Sequence, residues 1–476
     1  MSKHQLDTVK FFDLSFYVES NNLSWSEIIQ FVRTLQKRIY KASCIGDSIT
    51  IRDCQKKLIS SKKASLLAIR QILNRHPQDQ FRFKNCKTDF YFIGNENFFY
   101  TTYICELLDK DEPVLINLSL QQLLLIALKP EWEARSEPNS YGFSSTLAVN
   151  QAVIKTYSLL SQNDIYQHSM ILVGRLNNFF EQLDLSIVLK KSIYTNNIKN
   201  SLMSIFNTSF FSSSLILIGK NFQFLDIIGF AYNSMALLLA NLVFYGLENS
   251  VLWQSIKFGT YKSALLRSKS IETETVICSN HFIVIFPSTN LRYISLTINS
   301  IRSFFSSIGI NLCLSSLNVQ SIDEGFDFLG FNFRRYDNNQ SSKTQLTKLV
   351  VKPTHNNIKK HLLRMRYCLY HKDRLNRWRA NAQMTQYDVI NRLNPLIKDF
   401  SLYYLDLTSP LILKTLDRTV NEMIYRYAIK KYKSNRSQKW NDNWTAIVHG
   451  KKIIAYETTT TKGYKALFLH KEESFE

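Results

Sequence analysis

The sequence predicts a mixed α/β (α+β) fold set between two helical and strongly basic ends, and three observations predict it. Between residues about 80 and 340, short apolar runs such as Phe282–Phe286 alternate with longer helical segments such as 118–128 and 236–247. From 343 to 440 the chain turns helical and carries 21 Lys and Arg against 6 Asp and Glu, so 15 of its 21 net positive charges lie there. Before the mixed block, residues 24–73 read as basic helices with few acids. So large a positive charge implies a polyanionic partner, and cations recurring at helical spacing favour nucleic acid over a lipid surface.

The first helix, about 24–41, has readable punctuation. Ser24 and Glu27 stand at capping-box spacing, and Leu23 with Ile28 is placed as a hydrophobic staple. Ile28, Val32, Leu35 and Ile39 make its apolar stripe. Arg33, Lys37 and Lys41 lie four apart and share another face, with Arg38 beside them. A second helical stretch, about 50–73, adds Lys56, Lys57, Lys62, Lys63 and Arg70. A charge run is ordinarily a solvated face laced by ion pairs. Here acids are too few for lacing, so phosphate contact is the preferred reading.

In the mixed block, Ile227 to Leu247 runs 21 residues without a charge, long enough to cross a bilayer. Tyr232, Asn233, Ser234 and Asn241 lower its hydropathy, and a buried helix is expected rather than membrane insertion. Farther on, Thr385 and Asp388 again have capping spacing. In the last long helix Leu413, Leu416, Val420, Ile424 and Tyr427 form the apolar stripe. Lys414, Arg418, Arg426 and Lys430 share one face with Glu422 as its lone acid, a stripe suited to following phosphates. Tyr403, Tyr404, Tyr425 and Tyr432 interleave with these charges and offer stacking on unpaired bases, although tyrosines at helical spacing are more often core. Residues 441–476 hold short Thr- and Lys-rich segments and no usable motif.

The seven cysteines (44, 54, 86, 105, 278, 313 and 368) include no Cys-x-x-Cys pair, which argues against a zinc ribbon or disulfide framework and for a reducing compartment. The opening MSKHQLDTVKFFDLSFYVES has neither an apolar signal-peptide core nor the acid-poor character of a transit peptide. Together with a usage rich in Phe, Tyr, Ile, Asn and Lys, this leads to an expectation of organelle coding.

Four stretches resemble group II intron maturases, the reverse transcriptase-like proteins that help host introns fold and splice. Trp25, then Leu35-Gln36-Lys37-Arg38-Ile39-Tyr40-Lys41-Ala42 and Ser61-Lys62-Lys63-Ala64-Ser65-Leu66-Leu67-Ala68-Ile69-Arg70, are similar to the family's N-terminal RNA-binding extension. Ala127-Leu128-Lys129-Pro130-Glu131-Trp132-Glu133-Ala134, with Pro138-Asn139-Ser140-Tyr141-Gly142-Phe143, resembles a fingers motif. Glu324-Gly325-Phe326-Asp327-Phe328-Leu329-Gly330-Phe331 is similar to the strand that closes the palm. Leu393-Asn394-Pro395-Leu396-Ile397-Lys398-Asp399-Phe400-Ser401-Leu402-Tyr403-Tyr404 resembles the signature of the thumb-like maturase domain, domain X. The resemblance implies a right-hand reverse-transcriptase-like fingers and palm at 81–340, a helical RNA-binding extension at 1–80, an all-α thumb and domain X at 341–440, and a tail at 441–476. It is nearest to the intron-encoded plastid maturases of euglenoids, with the mitochondrion as the alternative compartment.

The departures from that family carry as much information. Cys278-Ser279-Asn280-His281 stands where a family polymerase has Tyr-Ala-Asp-Asp, so Asn280 and His281 replace two magnesium-holding carboxylates. Magnesium prefers hard anionic oxygens, and an amide or imidazole is a poor substitute. Val173-Gly174-Arg175-Leu176-Asn177-Asn178-Phe179-Phe180-Glu181 matches the first catalytic motif, with Arg175 in place of the metal-binding Asp. Leu118 appears where an Arg for the triphosphate is expected, next to Gln121, and the Gly-rich nucleotide segment is unrecognisable near 228–234. No Cys-pair or His-rich endonuclease follows domain X. The resemblance therefore implies a non-catalytic maturase with no resident metal or cofactor. Its partner would be intron RNA in a pre-mRNA, bound by Arg33, Lys37, Arg38, Lys41, Lys62, Lys63, Arg70, Lys398, Tyr403, Tyr404, Lys414, Arg418, Arg426 and Lys430.

Overall fold

The computed structural model describes residues 8–13, 24–75, 89–93, 112–141, 146–162, 169–176, 186, 198, 234–263, 273–287, 289–312, 317–337, 347–381, 383–430, 432, 434–448, 451–457 and 464–470. In chain order the elements are β1 (Thr8–Asp13), α1 (Trp25–Ile45), α2 (Ser48–Ile59), α3 (Lys62–Arg75), β2 (Asp89–Ile93), α4 (Glu112–Arg135), α5 (Thr146–Gln162), β3 (Met170–Arg175), α6 (Ser234–Phe244) and α7 (Leu247–Ser263). There follow β4 (Glu274–Cys278), β5 (His281–Phe286), α8 (Leu291–Ser306), β6 (Leu317–Ser321), β7 (Phe326–Phe328), β8 (Phe331–Asp337) and β9 (Thr347–Pro353). The last are α9 (His355–Leu369), β10 (Tyr370–Lys372), β11 (Trp378–Ala380), α10 (Gln386–Tyr404), α11 (Pro410–Lys430), α12 (Arg436–Trp444), β12 (Thr445–Val448), β13 (Lys451–Glu457) and β14 (Tyr464–Ala466). Mixed α/β is thus the observed class, mostly helical with small antiparallel sheets. The chain divides into two compact units, Met1–Ala152 with Gly174–Asn318 and Val153–Val173 with Val319–Glu476.

In the first unit, α1 begins where the sequence predicts: Ser24 Oγ accepts the Glu27 backbone N–H, and Ile28, Val32, Leu35 and Ile39 are buried. Leu23, the expected staple, lies outside the described residues. The expected single helix at 50–73 is two. Ser60 Oγ donates back to Lys56 O at 2.9 Å where α2 ends, and α3 restarts at Lys62. Such back-bonding serines compete with helix propagation. All three helices pack on α4. Pro130 lies inside α4 and has no N–H for the carbonyl four residues earlier. That carbonyl, Ile126 O, takes its hydrogen bond from Gln36 Nε2 of α1 at 3.0 Å. A second tie is Gln55 Nε2, which donates to the buried Glu131 Oε2 at 2.7 Å.

The expected apolar strand is β5, buried throughout and paired antiparallel with β4 from Glu274↔Ile285 to Cys278↔His281. Phe244, Phe282 and Phe305 pack edge to face and tilted behind it. Of the uncharged stretch, the described part is α6. It is 11 residues long, about 16 Å by helical rise against roughly 30 Å of hydrocarbon, and ends at a turn whose Gly246 has φ 97°. Among the described residues no helix is long and apolar enough to cross a membrane.

The second unit corrects the all-α expectation for 341–440. The segment opens on β9, the edge of a β7–β8–β9 antiparallel sheet, and β10–β11 form a hairpin before α10. The hairpin is invisible to periodicity because its strands are three residues each and its turn residue Asn376 adopts φ 61°. Residues 441–476 likewise contribute structure. Trp444, at the end of α12, and Leu467, just after β14, join the core formed by Met365, Leu369, Leu393, Ile397, Val420 and Ile424.

Candidate nucleic-acid interface

The turn between β4 and β5 carries the Cys278–His281 segment, which the sequence resemblance sets against a polymerase's metal-holding motif. Ser279 has φ 58°, tightening the turn. The two segments that the resemblance assigns to the metal site meet here. Asn280 O accepts the Leu176 N–H at 2.9 Å while Asn280 Nδ2 donates to Leu176 O at 3.2 Å, so the Arg175 segment runs beside the turn. Gly174 is required for this approach, since a Cβ there would fall 2.1 Å from Phe282 Cζ. Burial, with Arg175 nearby, holds the His281 imidazole down to about 3, so it is neutral. A guanidinium, an uncharged amide and a neutral imidazole do not fit a magnesium centre, which prefers hard anionic oxygens. Phe180, Glu181 and residues 228–233 lie outside the described residues, as does the side chain of Leu118.

A carboxylate cluster lies elsewhere in the first unit. Glu137 caps the N-terminus of α7, its Oε1 accepting the N–H groups of Gly246 (3.1 Å) and Asn249 (3.3 Å) and its Oε2 that of Glu248 (3.3 Å). Asn139 Nδ2 donates to both Glu248 and Glu274, at 3.1 Å each. Burial first, then Glu137 and Glu274, raise the Glu248 carboxyl to about 7. Sequence reading missed this cluster because its members are joined across 109 and 135 residues.

The N-terminal cations are placed as their spacing predicts. Arg33, Lys37, Arg38 and Lys41 are exposed on α1, opposite its buried stripe, and Lys62 and Lys63 are exposed at the start of α3. Arg33, Lys37, Arg38 and Lys41 make no ion pair among the described residues. Arg70 is half-buried, its guanidinium 4.1 Å above the Trp25 ring, and Lys63 lies over Phe31 at 5.4 Å. Trp25 thus serves α1–α3 packing and the posture of a cation together.

In the second unit, Lys398, Lys414, Arg418, Arg426 and Lys430 are all exposed. Arg426 pairs with Glu422 one turn away, and Lys430 lies 5.5 Å over the Tyr370 ring. The capping box on α10 is complete, Thr385 and Asp388 each binding the other's backbone N–H. Tyr403 and Tyr404 are not base platforms. Both are buried, and they hold the β7–β8 turn: Tyr403 O–H donates to Leu329 O at 2.7 Å and Tyr404 O–H to Gly330 O at 3.2 Å. The turn needs them because Leu329 sits at φ 49° and Gly330 at φ 80°, and a non-glycine left-handed residue persists only where its surroundings over-determine it. Burial consequently pushes the Tyr404 phenol well above its ordinary range. Tyr425 is half-buried edge-on to Trp440, and the Tyr432 hydroxyl accepts Trp444 Nε1–H at 3.0 Å.

Phe400 fills an aromatic slot, stacked on His361 with centroids 4.2 Å apart. His361 is buried and neutral, held far below the usual range by burial. Its Nε2 meets His470 Nε2 at 2.8 Å, and His470 Nδ1 meets Asp417 Oδ1 at 2.7 Å. This chain anchors residues after β14 onto α9 and α11. No local signal reveals it, because the partners are 109 and 53 residues apart.

A family model for the N-terminal domain of reverse transcriptase matches residues 21–78, and one for the group II intron maturase-specific domain matches residues 369–444. In these two regions the chain is similar to group II intron maturases. It is 25% identical over 347 residues to maturase-like protein 1 of Euglena gracilis, covering 68% of this chain and 66% of that one. It is 22% identical over 407 residues to maturase-like protein 1 of Euglena longa, covering 81% of this chain and 78% of the relative. The chain therefore spans about two thirds of the first relative's length. The two family matches fall on the basic α1–α3 surface and on the basic stretch from β10 to α12. The altered palm turn lies between them in sequence.

Proposed function

We propose that this maturase-like protein is a non-catalytic splicing cofactor that binds its host group II-type intron in organelle pre-mRNA and stabilises the folded RNA. Polymerase chemistry is lost on this reading. The observation that carries it is the palm turn, where Arg175, Asn280 and neutral His281 meet in place of three carboxylates. Two-metal phosphoryl transfer depends on such ligands, and a fixed cation repels magnesium. Maturase work asks for a basic surface instead. It binds phosphates and 2′-hydroxyls of a ribozyme that supplies its own metal.

Exposed Arg33, Lys37, Arg38, Lys41, Lys62 and Lys63, together with Lys398, Lys414, Arg418 and Lys430, are assigned to that surface. Arg70 is placed at its margin, and Arg426 is shared with Glu422. The domain scheme of extension at 1–80, fingers and palm at 81–340, domain X at 341–440 and tail at 441–476 belongs to the same proposal, as does a plastid setting.

The test is competition binding at about 150 mM salt, where non-specific phosphate contacts are weakened. Purified protein should bind a transcript of its host intron at least tenfold more tightly than an unrelated structured RNA of equal length, and should extend no primer. Equal affinity would leave a general RNA-binding scaffold, and templated extension would restore the polymerase.

A further inference from the structure

The β10–β11 hairpin is a highly charged, exposed element of the second unit, and nothing above assigns it a role. Residues 370–380 carry Lys372, Arg374, Arg377 and Arg379 against one acid, Asp373. That acid is the hub of the turn. Asp373 Oδ1 accepts the backbone N–H groups of Leu375 and Arg377 at 2.9 Å each. Its Oδ2 accepts from Arg377 Nε at 3.0 Å and from Arg379 Nε at 3.1 Å. These bonds hold its carboxyl below the ordinary carboxylate range, the backbone N–H of Arg377 contributing most.

Both arginines engage Asp373 through Nε alone. Their Nη groups make no hydrogen bond among the described residues, and their side chains are 59% and 54% exposed. One carboxylate thus sets two guanidinium groups side by side with their outer edges open. A guanidinium edge presents two parallel N–H donors matched to phosphate oxygens, and holding it in advance removes the rotamer entropy a free arginine would lose on binding.

The aromatic residues beside the hairpin decide which part of a nucleic acid it fits. Trp378 is already covered, by the Arg366 guanidinium 4.4 Å from its ring centre and by the tilted Tyr367 ring at 4.9 Å. Lys372 lies 5.6 Å from the same ring. With those contacts made, the hairpin offers donors to a backbone rather than a face to an unpaired base. A-form RNA duplexes, whose bases are stacked and paired, are read in this way, through phosphates and 2′-hydroxyls.

We propose that the β10–β11 hairpin is a backbone-binding site for double-stranded RNA, in which Asp373 presets Arg377 and Arg379 as a phosphate clamp. The site rests on the RNA-binding reading above and adds to it a location and an RNA class.

The probes are a 16-base-pair RNA duplex, a 16-nucleotide oligouridylate and inorganic phosphate, each titrated into the full chain. Arg377→Ala with Arg379→Ala should weaken duplex binding about tenfold and lower the slope of log affinity on log salt by roughly 0.7–0.9 for each phosphate the variant no longer neutralises. The decisive variant is Asp373→Asn. It makes the surface more positive, so a clamp-free basic patch would bind more tightly or equally. The preset clamp instead predicts weaker duplex binding, about threefold or more, because the amide cannot pair with two guanidinium groups while its carbonyl still accepts the turn N–H groups. Circular dichroism and melting of each variant establish that the hairpin's unit stays folded. Tighter or unchanged binding by Asp373→Asn overturns the clamp, and oligouridylate or phosphate competing as well as duplex overturns the RNA class. If the wild-type chain binds none of the RNAs, the proposed function itself fails. If it binds them and the arginine pair is silent, only this site does.

Discussion

Arg175 and Arg33 are the same residue type under opposite physical regimes. Arg175 lies beside a buried palm turn, near an imidazole that burial keeps uncharged. Arg33 lies on an exposed helical face with no ion pair among the described residues and an apolar stripe behind it. At the β4–β5 turn, a guanidinium lies beside buried polar groups, and the Asn280 amide donates to a backbone carbonyl. On α1, charge is displayed to solvent at helical intervals. The difference teaches that a cation's role follows its surroundings: one is part of a packed turn, while the other is displayed to solvent where a polyanion could reach it.

The sharpest break of that comparison is Gly174→Ala. A methyl group there overlaps the Phe282 ring, so the buried ring or the backbone must shift. Denaturant melts should show a loss at or above the usual overpacking range of about 1–3 kcal/mol. RNA affinity of the fraction that remains folded should be retained. A neutral effect on stability would mean that the palm turn is not the rigid scaffold described.

Next in size is Arg33→Ala with Lys37→Ala. Intron affinity should fall about tenfold across sequences, with stability changed by less than about 0.5 kcal/mol, as is usual for exposed substitutions. Filter binding and thermal melts made on the same preparations separate the two. Unchanged affinity removes this face from the interface.

A smaller effect distinguishes two buried groups of the palm unit by pH. The Glu248 carboxyl is raised from 4.5 to about 7 in the folded chain, so between those values the folded state holds more proton than the unfolded one. Its contribution to stability is therefore full below 4.5 and declines as pH rises through 7. His281 is lowered from 6.5 to about 3, so its contribution is full above 6.5 and declines as pH falls towards 3. Glu248→Gln should flatten the loss on the alkaline side and leave the acid side unchanged. A stability profile with the same slope above pH 5 in both proteins would show that Glu248 is not buried as placed.

The smallest expected change is Tyr404→Phe. Losing the hydroxyl removes its bond to Gly330 O and the one it accepts from Asn357 Nδ2 at 2.8 Å, and should cost on the order of 1 kcal/mol in melts, with intron affinity untouched. A drop in affinity without a drop in stability would return Tyr404 to base stacking.

Much of this was legible because it is local. The Ser24 and Thr385 caps, the buried stripes of α1 and α11, and the exposed cation faces depend on residues three or four apart, and each is where spacing puts it. The break at Ser60 and the β10–β11 hairpin were missed, since back-bonding serines and three-residue strands leave almost no periodicity to read. Pro130 left half a clue. An interior proline implies an orphan carbonyl, but which side chain satisfies it could not be named until Gln36 was seen 90 residues earlier.

The sequence by itself determined the strong positive charge, the presence of Asn280 and His281 rather than carboxylates at the β4–β5 turn, and the residues that face solvent on the long helices. Residue identity and short-range spacing set those directly. The tertiary structure alone decided which aromatic and ionisable groups are used up internally. It consumed Tyr403 and Tyr404 on a turn 74 residues away, neutralised His281 by burial, and joined His361, His470 and Asp417 into one chain. The reason is physical: burial removes water from a group and hands its hydrogen bonds to whatever the fold brings near, and those neighbours are distant in sequence.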